Sequence, residues 1–170
     1  MQQKEALINI LDKTGKIVGQ KKRSEVDKKK DILQSVNIIL LNKENQLFLV
    51  KAVDQLYNNF WGSSAAGLVR HGESVEQAAK RTLERELNVQ VSLVNLGEQF
   101  VEFDGIKRFM SLFYCKTNHE PILNNDDASD GNWFSFEDTK KLIETKHCIP
   151  TFKFAFAVLE DGFKKNHLNH

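Results

Sequence analysis

The first third of the chain carries the hydrophobic pattern of β-strands. Apolar and polar residues alternate over 6–11, and the turn sequence D-K-T-G at 12–15 leads into a returning strand at 16–20. Residues 36–41 are apolar except for one asparagine, which predicts a buried strand, and Q-L-F-L-V at 46–50 predicts its partner. This region therefore predicts an N-terminal hairpin followed by the first strands of a larger sheet.

The clearest helical pattern begins after residue 74. An apolar residue recurs at every fourth position, namely Val75, Ala79, Leu83 and Leu87. Ser74 and Gln77 have the spacing of a capping box, and Asn88 stands where a helix ends in the left-handed conformation. The pattern predicts one amphipathic helix from which Glu86 leaves beside the buried stripe.

The second half of the chain predicts further strands and two more helices. Strands are expected at 89–96, 98–103, 109–114 and 133–136, with an Asp-Gly hairpin turn at 104–105 and a polar loop at 118–131. A short helix is expected at 137–144. A second amphipathic helix begins at Pro150, because proline is tolerated in a first turn.

Composition narrows the class of protein without naming a function. The chain has 170 residues, 41% hydrophobic and 28% charged residues and a net charge of +1, as expected for one soluble globular domain. That charge provides no global attraction to nucleic acid or to a membrane. No apolar run approaches the ~20 residues of a membrane span. Two isolated cysteines and the lack of a signal-peptide pattern favour a reducing cytoplasm.

We expect residues 1–170 to form a single domain. Residues 1–33 would provide the hairpin and a basic connector, 34–165 the core, and 166–170 a frayed tail. The connector includes K-K-R-S-E-V-D-K-K-K at 21–30, with six cationic and two acidic side chains. A phosphate- or RNA-binding patch is one interpretation. A solvated connector is favoured because no aromatic residues interleave the charges for base stacking.

Residues 67–89 resemble a Nudix box: Gly, five residues, Glu, seven residues, Arg-Glu, an aliphatic, any residue, Glu-Glu, any residue, Gly and an aliphatic. The positions that match are Gly67, Glu73, Arg81, Leu83, Glu86 and Val89. Thr82 and Arg85 stand in place of two glutamates, and Asn88 in place of the glycine. The resemblance implies a Nudix α/β/α sandwich around a mixed sheet, here with an additional N-terminal hairpin.

The same resemblance implies a hydrolase that cleaves a diphosphate bond in a small, nucleoside-diphosphate-linked substrate. The cofactor would be Mg²⁺ or Mn²⁺, held by Glu86. Glu73 and Arg81 would brace the loop and the helix as part of the catalytic set, and Gly67 would border the substrate. Arg85 would either pair with a neighbouring glutamate of the helix or contact a phosphate directly.

Further acids are needed, because Mg²⁺ prefers hard oxygen ligands in octahedral geometry. Glu102 is a candidate metal ligand on a strand that could approach the helix, with a solvated edge residue as the alternative. Asp127 lies six residues before Trp133, where many Nudix hydrolases carry an acid that helps to activate water. His71 could donate to a phosphate, although a solvated loop residue is the favoured interpretation.

Two other functions follow from the resemblance. The chain resembles the Nudix subgroup that includes isopentenyl-diphosphate isomerase, through its opening strand and turn and through W-F-S-F-E-D at 133–138. The isomerase has a cysteine before the box glycine and metal-binding histidines, whereas this chain has Ala66, Leu68 and Gln34. Isomerisation is therefore not expected. The two replaced glutamates leave open a catalytically silent module that binds a nucleotide or a protein.

Overall fold

The computed structural model describes residues 4–165. Its strands are Leu7–Leu11 (β1), Ile17–Lys22 (β2), Ile32–Leu41 (β3), Leu47–Ala52 (β4), Trp61–Gly62 (β5), Ala65–Leu68 (β6), Val94–Phe103 (β7), Ile106–Lys116 (β8) and Ala128–Phe134 (β9). The helices are Val75–Leu87 (α1), Phe136–Glu144 (α2) and Pro150–Lys164 (α3), and a 3-10 turn spans Arg23–Glu25. The frayed tail expected at 166–170 lies outside the described residues.

The nine strands form one mixed sheet organised around β3. This strand pairs in parallel with β8 and antiparallel with β1, β4 and β6. β2 extends the sheet beyond β1, β7 extends it beyond β8, and both β5 and β9 pair with β4. The expected N-terminal hairpin is thus β1–β2, and it forms one end of the sheet.

Helices cover both faces of this sheet because side chains alternate along β3. Ile38 and Leu40 face α1 and join its buried stripe in one core. Ile39 and Leu41 face the other way and pack with the buried face of α3. The α/β/α sandwich expected from the sequence is confirmed. Within residues 4–165, no helix has the length and apolar character needed to cross a membrane.

The ends of α1 follow the predicted capping pattern. The backbone N–H of Gln77 donates to Ser74 Oγ at 3.1 Å, and the backbone N–H of Ser74 donates to Gln77 Oε1 at 2.9 Å. Asn88 ends the helix with φ of 55°, in the left-handed region. Together these caps fix which turn of the helix carries each of the charged residues that follow.

The two largest errors in the predicted strand boundaries are each five residues at the start of a strand. The strand expected from residue 89 begins at Val94, because Val89 and Leu93 are held by packing against the α1 core and not by strand pairing. The loop expected through residue 131 ends earlier, because β9 starts at Ala128 and pairs with β4. β9 was hidden by its polar sequence, since most of its side chains are exposed or half-buried.

Candidate functional site

A cavity of about 300 Å³ lies against the sheet, α1 and the loops that follow β2 and β4. Its lining includes six cationic residues, namely Arg23, Lys28, Arg70, Arg81, Arg85 and Arg108. Three acidic residues also line it, namely Asp54, Glu86 and Asp127. The excess of positive charge in a concave site favours an anionic ligand.

Glu73 and Arg81 join the loop after β6 to helix α1. Arg81 donates from Nε and Nη2 to the two carboxylate oxygens of Glu73, at 2.8 and 2.9 Å. Glu73 Oε1 also accepts from the backbone N–H of Arg70 at 3.0 Å, and Arg81 Nη2 donates to the carbonyl of Leu68 at 3.0 Å. Burial opposes ionisation of Glu73, but the hydrogen bonds from Arg81 and Arg70 outweigh it and lower its pKa.

Gly67 allows β6 and α1 to approach closely. A Cβ atom at this position would lie 2.7 Å from Thr82 Oγ1, so a larger residue fits only if the side chain of Thr82 shifts. Thr82 Oγ1 is buried and has no hydrogen-bond partner. An orphaned buried hydroxyl at a cavity wall is available to a ligand or to an ordered water molecule.

Glu86 projects from the last turn of α1 into the cavity. Its Oε2 accepts from the backbone N–H of Ala66 at 3.1 Å. Burial, and next the negative charge of Asp127, raise the pKa of Glu86 to about 8. The charges of Arg85 and Arg23 act in the opposite direction and do not offset these two effects.

The loop before β9 brings Asp127 to Glu86. The backbone N–H groups of Asn124 and Ile122 donate to the carbonyls of Glu86 and Leu87, at 3.0 and 2.9 Å. These bonds satisfy carbonyls that a helix end leaves without a partner, and they fasten the loop to α1. Asp127 Oδ2 is then buried without a hydrogen-bond partner.

Arg85 does not pair with a neighbouring glutamate of its helix, as one interpretation expected. Its Nη2 lies 3.3 Å from Asp127 Oδ1. The physical reason is that adjacent residues on a helix point in different directions, so Glu84 and Glu86 are out of reach. Arg85 therefore occupies one oxygen of the second acid and leaves the other oxygen unpartnered.

Most residues of the basic connector are exposed, as the favoured interpretation expected. Its Arg23 and Lys28 line the cavity although both residues are exposed. Burial, and next the charge of Arg81, lower the pKa of Arg70, and the charges of Arg23 and Arg85 act in the same direction. These guanidinium groups are thus close enough to repel one another, and a bound anion would relieve that repulsion.

Three of the candidate residues lie outside the cavity lining, namely Glu73, Glu102 and His71. Glu102 is exposed on β7 opposite Lys107 and lies outside the lining, because the alternation of the strand directs its neighbour Phe103 towards the cavity instead. His71 also lies outside the lining, and its Nδ1 is 3.1 Å from Asn9 Oδ1.

The sequence analysis missed Arg70, Arg108 and Tyr57, which all line the cavity. Arg108 had a usable signal, since a charged residue stands at a position of β8 that shares its face with Met110 and Leu112. Tyr57 lay in a segment without periodicity. Its hydroxyl donates to Asp104 Oδ2 at 2.7 Å, so the loop after β4 is tied to the β7–β8 turn.

The cavity wall offers few oxygen ligands to a divalent metal ion. Among residues 4–165, no group of three or more His, Cys, Asp or Glu side chains could hold one. Glu86 and Asp127 supply two carboxylates, and Asp127 Oδ2 and Thr82 Oγ1 are unpartnered oxygens in the same wall. This set fits one Mg²⁺, because that ion keeps several waters and is commonly bound by one or two carboxylates together with substrate phosphates.

Comparison with known proteins agrees with the fold. The family model of the NUDIX domain matches residues 32–152. An uncharacterised Nudix hydrolase of Nostoc is 29% identical over 139 residues, which cover 78% of this chain and 82% of that protein. A crystal structure from Deinococcus radiodurans superposes with a TM-score of 0.74 at 23% identity, covering 91% of this chain and 98% of that one. The chain therefore belongs to the Nudix family, whose relatives include hydrolases.

An isopentenyl-diphosphate isomerase of Photorhabdus laumondii is also similar, at 23% identity over 159 residues, covering 87% of this chain and 88% of that protein. Among the described residues, no cysteine lines the cavity. Cys115 and Cys148 lie in the two hydrophobic cores and outside the cavity lining. Burial raises their pKa values to about 12 and about 11, so both thiols stay protonated at neutral pH.

Proposed function

We propose that this protein is a metal-dependent hydrolase that cleaves a diphosphate bond in a small, nucleoside-diphosphate-linked substrate. The observation that supports it is the pair of electrostatically interacting carboxylates, Glu86 and Asp127, in a cavity whose charged lining residues are mostly cationic. Burial, and next the charge of Asp127, make Glu86 costly to ionise, and a cation bound between the two acids would offset that cost.

Glu86 and Asp127 would hold one Mg²⁺ or Mn²⁺ ion. When bound, the metal would neutralise phosphate charge and lower the pKa of a water molecule that attacks phosphorus. Arg23, Arg70 and Arg85 would bind the phosphate oxygens, since a guanidinium offers paired donors to an oxyanion. Glu73 and Arg81 would hold the loop and the helix in register and would not touch the substrate.

The test is hydrolysis of ADP-ribose, a nucleoside-diphosphate-linked probe, by purified protein with Mg²⁺ or Mn²⁺. The expected product is AMP, released only when the metal is present. Glu86→Gln should lower the rate by more than about 100-fold, because losing the metal removes several kcal/mol of charge stabilisation. Glu84→Gln is the matched control, since Glu84 is exposed on the same helix and outside the cavity lining. Hydrolysis that survives Glu86→Gln would contradict the assignment.

A nucleotide-binding module without turnover is the second candidate. The ion pair between Arg85 and Asp127 favours it, because a resident cation already occupies one oxygen of the second acid. Calorimetry of ADP-ribose binding with and without Mg²⁺ separates the two functions. Metal-independent binding without AMP release supports the module, whereas binding that requires the metal removes it.

A further inference from the structure

Arg108 is a buried cation on the sheet face that lines the cavity. It lies in β8 beside Leu33 of β3, and only 7% of its surface is exposed. Its side chain shares a face with Met110 and Leu112, which belong to the α3 core. A charged residue in this position is expensive unless its charge is compensated.

Within the described residues the charge of Arg108 is offset only in part, by the nearby charge of Asp31. Its hydrogen bonds run from Nη1 to two backbone carbonyls, those of Lys107 at 2.9 Å and Lys28 at 3.5 Å. A guanidinium has five N–H donors, so part of its donor capacity is open. Asp31 acts on it only through space and is itself hydrogen-bonded to Lys21 at 2.9 Å. Burial lowers the pKa of Arg108 to about 10.

The register of β3 separates this cation from the proposed hydrolytic centre. Arg108 stands beside Leu33, whereas Ala66, whose N–H holds Glu86, stands opposite Asn37. Four residues of strand separate these levels, or about 13 Å at 3.3 Å per residue. Both levels contribute residues to the lining of the same cavity.

We propose that Arg108 and Lys28 form an oxyanion-binding subsite that takes a second phosphate group of the substrate, remote from the diphosphate that is cleaved. Its place in catalysis rests on the proposed function, but its ability to bind an anion does not. Two cationic residues match the two charges of a phosphate better than the single charge of a carboxylate. The substrate class is therefore a nucleoside-diphosphate-linked compound that carries an additional phosphate on its distal part.

The experiment is a titration of the metal-free, full-length protein with inorganic phosphate, followed by NMR at the backbone amide of Phe109, next to Arg108. We expect a saturable shift in the unmodified protein. Removing a charge-assisted hydrogen-bond donor should weaken this response about 10- to 100-fold in Arg108→Gln. Arg108→Lys keeps the charge and should bind with intermediate affinity, so the test remains valid if Arg108→Gln does not fold.

Two controls separate binding from structural support. Lys107→Gln alters the neighbouring residue, which points to the opposite face of β8, and should leave the response unchanged. Acetate in place of phosphate should give a weaker shift, and an equal shift would overturn the assignment to phosphate. If Arg108 only supports the carbonyl of Lys28, its substitution will lower the melting temperature without changing the response of Phe109 to phosphate.

The outcomes also separate this proposal from the proposed function. Glu86→Gln should abolish ADP-ribose hydrolysis and leave the phosphate response of Phe109 intact. A Phe109 amide that does not respond to phosphate in an active hydrolase overturns the subsite alone. A saturable response in a protein that never hydrolyses a diphosphate supports the subsite and contradicts the hydrolase.

Discussion

Glu73 and Glu86 stand at the two ends of the same motif and are treated by the fold in opposite ways. Glu73 is surrounded by donors from Arg81 and from the backbone of Arg70, and its pKa is lowered. Glu86 receives one backbone donor and faces Asp127, and its pKa is raised to about 8. One carboxylate is satisfied by the protein itself, whereas the other is left for a ligand to satisfy.

This difference has opposite consequences for stability as the pH changes. The lowered pKa of Glu73 gives stability that is present above its unfolded-state pKa and is lost as the pH falls. The raised pKa of Glu86 gives stability that is present at low pH and is lost as the pH rises from about 4.5 to about 8. Near neutral pH, Glu73 thus stabilises the fold, whereas the nearby Glu86 lowers its stability. Such a shifted pKa is typical of a functional site.

The largest expected effect comes from Arg81→Met, which breaks the ion pair between Arg81 and Glu73. The substitution leaves the carboxylate of Glu73 without its charged partner, and both side chains are at most 26% exposed. We expect the free energy of unfolding to fall by about 2–4 kcal/mol, measured by urea denaturation at neutral pH. Lys80→Met, at the adjacent exposed position, is the control. A change smaller than about 0.5 kcal/mol would show that the brace is not structural.

Glu86→Gln should act in the opposite direction in metal-free protein. The amide keeps the size of the side chain and removes a buried charge, so near pH 9 the unfolding free energy should rise by about 2 kcal/mol. Melting temperatures should then increase by about 4–8 °C. Near pH 5 the native carboxyl is protonated and the gain should vanish. A gain that does not depend on pH would contradict the raised pKa of Glu86.

The surroundings of Glu73 were predicted well from the sequence, because the residues that contact it are close to it in the chain. The capping box, the left-handed end at Asn88 and the Glu73–Arg81 pair all depend on residues within one loop and one helix. The buried stripe of α1 followed from helical periodicity alone. The face of α1 that packs on the sheet could therefore be anticipated before any tertiary contact was known.

The residues around Glu86 come from distant parts of the chain, so the sequence could only suggest which of them would meet. Asp127 reaches Glu86 because backbone donors of its loop bind the carbonyls at the end of α1, and no side-chain pattern encodes these bonds. Arg23 comes from the N-terminal segment, 63 positions before Glu86 in the chain. Glu102 was an equally acidic candidate, and only the alternation of β7 removed it from the cavity.

The smallest expected effect comes from Asp127→Asn, which tests how the two acids of the cavity, Asp127 and Glu86, interact. Asp127→Asn removes the second cause of the raised pKa of Glu86 and leaves burial, the largest cause, in place. The pKa of Glu86 should fall but stay above its unfolded-state value, as followed by carbon-13 NMR of its carboxyl group in metal-free protein. The change in unfolding free energy should stay below about 1 kcal/mol, since the half-exposed pair of Asp127 with Arg85 contributes little.

Asp126→Asn is the matched control for that titration, because Asp126 is the adjacent, exposed acid of the same loop and lies outside the cavity lining. It should leave the pKa of Glu86 unchanged. If both variants leave it unchanged, Glu86 is raised by burial alone and the two carboxylates do not share a cation. If only Asp127→Asn lowers it, the acids are electrostatically coupled, as two ligands of one metal ion must be.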